Sequence, residues 1–236
     1  MSGHSKWATI HRQKESKDAK RGLIFTKLGR AITIAARSGP DPDANFKLRL
    51  AIDKARVANM PKENIERAIS RSQSGIAVEE TTYEGFGPQG VAVIVQAVTD
   101  NKNRTSQEIK NLFERNGGRM AGPGSVSYQF EQVGQLIVKK NDNAEEQMLS
   151  LIDARVEDME ESADGIEIYT KPAELNNTRE KIAGLGFGVV SAELTMKPLN
   201  LVSLGSDEAQ KVVSFLETLQ NHDDVQAVYA NLDIHE

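Results

Sequence analysis

Apolar residues recur every three or four positions up to about Gly75, then switch to short runs and alternation. From Ala19 to Arg37 the positions Ile24, Phe25, Leu28, Ala31, Ile32 and Ala35 share one helical arc of about 120°. Lys20, Lys27, Arg30 and Arg37 fall in a neighbouring arc of about 100°. This predicts a helix with one core face and one basic stripe, stopped by Ser38-Gly39-Pro40. A second helix is predicted from Asp41 to about Asn59, burying Leu48, Ile52 and Ala55. A third starts at Pro61, a residue suited to a first helical turn, and buries Ile65, Ala68 and Ile69. The polar stretch Ser72-Gln73-Ser74-Gly75 reads as a linker.

Beyond it, Tyr83–Gly90 reads as a turn-rich lead into a strand over Val91–Val98. Thr105-Ser106-Gln107-Glu108 matches a capping box, opening a helix that runs to Arg115 and stops at Asn116-Gly117-Gly118. Ser125–Phe130 alternates as a strand. Segment 132–198 contains a complete unit. Strand Leu136–Lys139 precedes helix Ala144–Ala154, with Met148, Leu149 and Ile152 as its buried positions. Strands Val156–Glu161 and Ile166–Thr170 turn at Ala163-Asp164-Gly165. Helix Pro172–Leu185 ends at Gly186, and strand Val189–Met196 closes the set. The order βαββαβ is that of a ferredoxin-like plait. The last helix, Ser206–Gln220, and strand, Val225–Leu232, cannot make a domain alone. They complete the elements of 91–130, with Leu199–Leu204 as the remaining strand.

The expected fold is therefore α+β and multidomain: an N-terminal helical bundle followed by two ferredoxin-like α+β domains, one inserted in the other. The boundaries are 1–75 for the helical domain, 76–131 plus 199–236 for the split domain, and 132–198 for the insertion.

Charge follows this division. Residues 1–75 carry 16 Lys+Arg against 7 Asp+Glu, a net of +9, and the remainder carries 13 against 27, a net of −14. A basic block attracts polyanions, and the acidic remainder repels them, so one end of the chain is expected to face nucleic acid. The expected contacts are Lys6, Arg12, Lys14, Lys17, Lys20, Arg21, Lys27, Arg30 and Arg37. Trp7 either stacks on a base or anchors its segment on the bundle. Lys102 and Arg104, in the turn 100–105, and Arg119, in a glycine-rich connection, are candidates for a secondary contact.

Other chemistry finds little support. There is no cysteine, so thiolate nucleophiles, disulfides and Cys-based zinc sites are excluded. The motifs G-x-S-x-G, G-x-x-x-x-G-K-[ST] and H-E-x-x-H do not occur. His4, His11, His222 and His235 lack metal-ligand spacing. The glycine-rich 117–124 follows a helix and precedes a strand, the reverse of a dinucleotide loop. Glu157-Asp158-Met159-Glu160-Glu161 reads as a solvated acidic strand edge rather than a Mg²⁺ site, because alternate strand residues face opposite ways. The expectation is no catalytic residue, no metal, no cofactor and no small-molecule substrate. The N-terminus lacks a secretory apolar run, and the longest apolar run, Val91–Val98, is interrupted by Gln96 and too short to span a bilayer. A cytoplasmic protein without membrane contact is expected.

Several motifs carry a resemblance. Gly3-His4-Ser5-Lys6-Trp7 with Asp18-Ala19-Lys20-Arg21-Gly22 resembles the opening of the YebC/PmpR family, which includes the mitochondrial translational activator of cytochrome oxidase. Leu48–Ala55, Asn59-Met60-Pro61-Lys62, Tyr83–Pro88, Asn103-Arg104-Thr105, Asn116-Gly117-Gly118, Gly124–Tyr128 and Asp223-Asp224-Val225-Gln226 are similar in the same order. Phe46, where the family usually has Pro, and Ser38-Gly39-Pro40 depart from the pattern. The resemblance implies a helical domain with two α+β domains and a cytoplasmic role in gene expression. Two roles are implied: a DNA-binding transcriptional regulator, or a ribosome-associated translation factor that meets ribosomal RNA and aids synthesis of difficult stretches such as proline runs. Its motifs bring the contact expectation most directly to Lys6, Lys20 and Arg21.

Overall fold

The computed structural model describes residues 21–73, 78–141, 143–152, 156–162 and 165–234. These fall into two compact units, Glu131–Lys197 and the remainder on either side of it. The fold is mixed helix and mainly antiparallel sheet, as expected.

Three helices come first: α1 (Arg21–Ala35), α2 (Phe46–Val57) and α3 (Lys62–Arg71). Leu28 and Ile32 of α1 meet Leu48, Ile52, Ala55, Met60, Ile65 and Ala68 in one apolar core. Buried Thr33 donates to the Gly29 carbonyl and across to the Ala68 carbonyl, both at 2.9 Å, tying α1 to α3. α2 begins later than the apolar spacing predicts because Asn45 is the cap. Its side chain accepts from Leu48 N and donates to the Ala35 and Gly39 carbonyls. Of the expected linker, Ser74 and Gly75 lie outside the described residues.

The larger unit continues with β1 (Glu79–Phe86), β2 (Ala92–Thr99), α4 (Lys102–Arg115) and β3 (Arg119–Ala121). It resumes after the insertion with β8 (Val202–Leu204), α7 (Ser206–Gln220), β9 (Val225–Ala230) and β10 (Leu232–Ile234). Its main sheet has the order β3-β1-β2-β9, with the β1–β2 hairpin at its centre and β3 and β9 on the two edges. Val93, Val95 and Ala97 form a core with Ile109 and Phe113 of α4 and Val212, Phe215, Leu216 and Leu219 of α7. The strands differ from expectation. β1 replaces the turn-rich lead, pairing from Glu79↔Thr99 to Phe86↔Ala92. Its glycine is packing chemistry rather than turn chemistry: a Cβ on Gly85 would lie 2.6 Å from the Arg119 carbonyl and from the Phe113 ring. Leu199–Leu204 is not the missing plait strand, since β8 pairs in parallel with β10. Ser125–Phe130 is mostly not a strand. The N–H groups of Gly124, Val126 and Ser127 go instead to the buried carboxylate of Glu84, at 2.8, 2.7 and 2.9 Å.

The smaller unit holds β4 (Phe130–Val138), α5 (Ala144–Leu151), β5 (Asp158–Ser162), β6 (Gly165–Thr170), α6 (Leu175–Gly184) and β7 (Val189–Pro198). Its sheet order, β5-β6-β4-β7, is the plait order that the βαββαβ reading expects. The rotation of α5 differs. Leu149 and Ile152 are exposed, whereas Gln147 and Leu151 are buried. Gln147 sets this rotation by accepting from Asn141 N and donating to the Lys139 carbonyl, both at 2.9 Å. The acidic strand β5 lies at the sheet edge, where Asp158 pairs with Lys197 at 2.9 Å and Glu161 with Lys140. Ala163 and Asp164 of the expected turn, and Ala154, lie outside the described residues.

Candidate nucleic-acid interface

Lys6, Trp7, Arg12, Lys14, Lys17, Lys20 and the side chain of Arg21 lie outside the described residues. The described part of the stripe is Lys27, Arg30 and Arg37. α1 lays Lys27 and Arg30 against the C-terminal end of α7. Lys27 Nζ donates to the carbonyl of Gln220, the last residue of that helix. Arg30 donates to the Asp223 carbonyl at 2.7 Å and to Asp224 Oδ1 at 2.8 Å. A helix C-terminus carries unsatisfied carbonyls and a partial negative charge, and it draws cations. Arg37, in the 3-10 turn Ala36–Ser38 that directly follows α1, donates to the Val78 carbonyl.

Asp224 is the centre of this arrangement. Thr105 Oγ1 donates to its Oδ2 at 2.6 Å, Thr99 Oγ1 at 3.1 Å and Arg104 at 3.0 Å, while Arg30 takes the other oxygen. Burial alone would raise the pKa of this carboxyl. The bonds from Thr105 and Arg104, the nearby Arg30 charge and Thr99 outweigh it and hold the group below its ordinary value. The expected capping box is thereby corrected. Thr105 lies inside α4, fully buried, and Asn101 is the cap, accepting from Arg104 N at 3.1 Å.

Arg104 reaches Asp224 and Asp100, each at 3.0 Å. Lys102 and Arg119 are exposed. Glu108, His222 and Asp224 place ligand-type atoms near one another. His222 Nδ1 accepts from Asp224 N at 3.1 Å, which leaves Nε2 to donate to Glu108 at 3.0 Å. With two guanidiniums already on Asp224, the geometry is that of an ion-pair cluster whose cations are arginines. His4, His11 and His235 lie outside the described residues.

Asp224 is missing from the site residues expected from sequence. Its signal was present in two distant acid and hydroxyl motifs, 99–105 and 223–224, but nothing local joins them. Arg67 and Arg71 on α3 are also absent from the expected contacts, although their four-residue spacing places both on one helix face.

Family models match nearly the full length. The TACO1/YebC N-terminal domain matches residues 5–75, and the TACO1/YebC second and third domains match residues 78–232. The chain belongs to the TACO1/YebC family. A probable transcriptional regulatory protein of Dictyoglomus turgidum is 46% identical, over 99% of this chain and 96% of its own. One of Caldanaerobacter subterraneus is 45% identical over 100% of both. A crystal structure of a conserved hypothetical protein from Aquifex aeolicus is 43% identical with a TM-score of 0.85, covering 93% of each chain. The TACO1/YebC architecture of one N-terminal and two further domains agrees with the helical region followed by sheet-containing segments. Among the described residues, no helix is long and apolar enough to cross a membrane.

Proposed function

We propose that this TACO1/YebC chain is a non-enzymatic, cytoplasmic, nucleic-acid-binding regulator of gene expression, acting as a DNA-binding transcriptional regulator. The charge division carries this reading: a net of +9 in residues 1–75 against −14 in the rest. The names of the relatives from Dictyoglomus and Caldanaerobacter support the regulatory role. Phosphate contact by Lys6, Arg12, Lys14, Lys17, Lys20 and Arg21 would give affinity and register, with little base readout. Lys102, Arg104 and Arg119 are the proposed secondary contact.

One observation favours a second reading, contact with ribosomal RNA by a ribosome-associated translation factor. Lys27 and Arg30 are drawn to the end of α7, so α1 does not offer them as a free row for a major groove. Recognition of shape and phosphates suits folded RNA.

The test replaces Lys14, Lys17 and Lys20 with Gln, which spares the α1–α7 contacts. Binding of duplex DNA and of ribosomal RNA fragments is then measured across a salt series. Weakening of about tenfold or more, with a shallower salt slope, is expected. Unchanged affinity and slope would sink the proposal. Promoter footprints select the transcriptional reading, and co-sedimentation with nuclease-treated ribosomes selects the translational one.

A further inference from the structure

A groove of about 410 Å³ runs between α1 and α3. Phe25, Gly29, Met60 and Ala68 supply apolar lining, and Arg67 and Arg71 line it from α3, while Arg30 borders it with its guanidinium held on Asp224. Thr26 and Asn64 add a hydroxyl and an amide, and no carboxylate lines the groove among the described residues. Its volume lies in the range of small-ligand sites, about 300 to 1,000 Å³. The fold keeps it open in a defined shape. Thr33 pins α1 to α3 beneath it, and Asp224 holds Arg30 at its edge.

We propose that this groove receives one unpaired nucleotide of an RNA strand, with the base against Phe25 and the apolar lining and the phosphate on Arg67 and Arg71. The chemistry matches on three counts. An aromatic ring in an apolar groove accepts a base face without regard to sequence. Arginines four residues apart on one helix face make a paired donor set for phosphate oxygens. A space of this size excludes a base-paired duplex, and unpaired, splayed-out bases are the usual target of proteins that read folded RNA. Thr26 and Asn64 offer partners for a 2′-hydroxyl, the group that separates RNA from DNA.

This inference rests on the nucleic-acid reading above and adds a site separate from the proposed phosphate contacts at Lys6–Arg21. The test uses the full chain with a fluorescein-labelled oligouridine, the matching oligothymidine and a blunt RNA duplex. The Arg67→Ala/Arg71→Ala variant and the Phe25→Leu variant are each expected to weaken oligouridine binding by about fivefold to a hundredfold. Duplex binding should change little. A photoreactive uridine should cross-link within α1 or α3. Thermal melting of each variant guards against misfolding, and Arg67→Lys, which keeps charge, should restore part of the loss. Equal oligouridine binding by wild type and both variants overturns the groove assignment alone. Tighter or equal binding of oligothymidine through the same residues overturns the RNA assignment. Failure of the wild type to bind any nucleic acid overturns the parent reading as well.

Discussion

Asp224 shows how much one buried carboxylate can hold. It joins α1, the end of β2 and the first turn of α4 through Arg30, Thr99, Arg104 and Thr105. Removing its charge leaves two partly solvated guanidiniums without their anion, and Asp224→Asn is expected to cost about 1–3 kcal/mol in urea unfolding. The pH dependence has a definite sign. The folded-state pKa lies below the ordinary one, so the contribution is fully present above the usual carboxylate range and is lost as pH falls through the lowered value. The stability gap between wild type and variant should therefore close on acidification. A gap that stayed constant down to strongly acid pH would contradict the ion-pair account. Glu84 makes a parallel case with neutral donors. Burial raises its pKa, but the backbone N–H groups of Val126, Gly124 and Ser127 lower it further. Glu84→Gln should lose about 1–3 kcal/mol and the amide-exchange protection of Gly124–Ser127. Neither residue was legible beforehand. Glu84 sits in a polar-looking stretch, and its partners lie some forty positions away.

At the scale of elements, long amphipathic segments were readable and caps were not. α7 lies where its apolar spacing and acidic first turn place it, at Ser206–Gln220. The start of α4 differs from the sequence expectation because Thr105 and Glu108 mimic a capping box while Asn101 does the capping. Asn101→Ala should cost about 1 kcal/mol. Thr105→Val should cost more, because it leaves Asp224 short of a donor; thermal melts of the two variants compare them directly. β1 was missed because polar Glu79, Glu80, Thr81 and Thr82 hide the alternation, and Gly85 and Gly87 imitate a loop. The glycines at the end of α4 have separate jobs. Gly117 takes φ 77° after the helix, and a Cβ on Gly118 would meet the Phe86 carbonyl at 2.7 Å. Gly118→Ala should therefore destabilise β3 against β1 by about 1–3 kcal/mol. Gly122→Ala, with nothing near its Cβ, serves as the control in the same unfolding series.

For the whole molecule, the change of periodicity near Gly75 and the βαββαβ order of 132–198 were enough to read the fold class. The candidate interface was only half legible, since a charge count finds the basic segment but not which cations the fold itself engages. The divided sheet has a consequence for synthesis. Val93 of β2 pairs with Ala230 of β9, so one edge of β2 waits for a partner made after the whole of Glu131–Lys197. The intervening strands need no partner from outside their own sheet. On the ribosome, folding proceeds as segments emerge, and an unpaired strand edge is open to wrong pairing. A nascent chain halted once Pro198 has cleared the exit should already shield 131–197 from protease. Residues 79–121 should stay cleavable until Ala230 arrives.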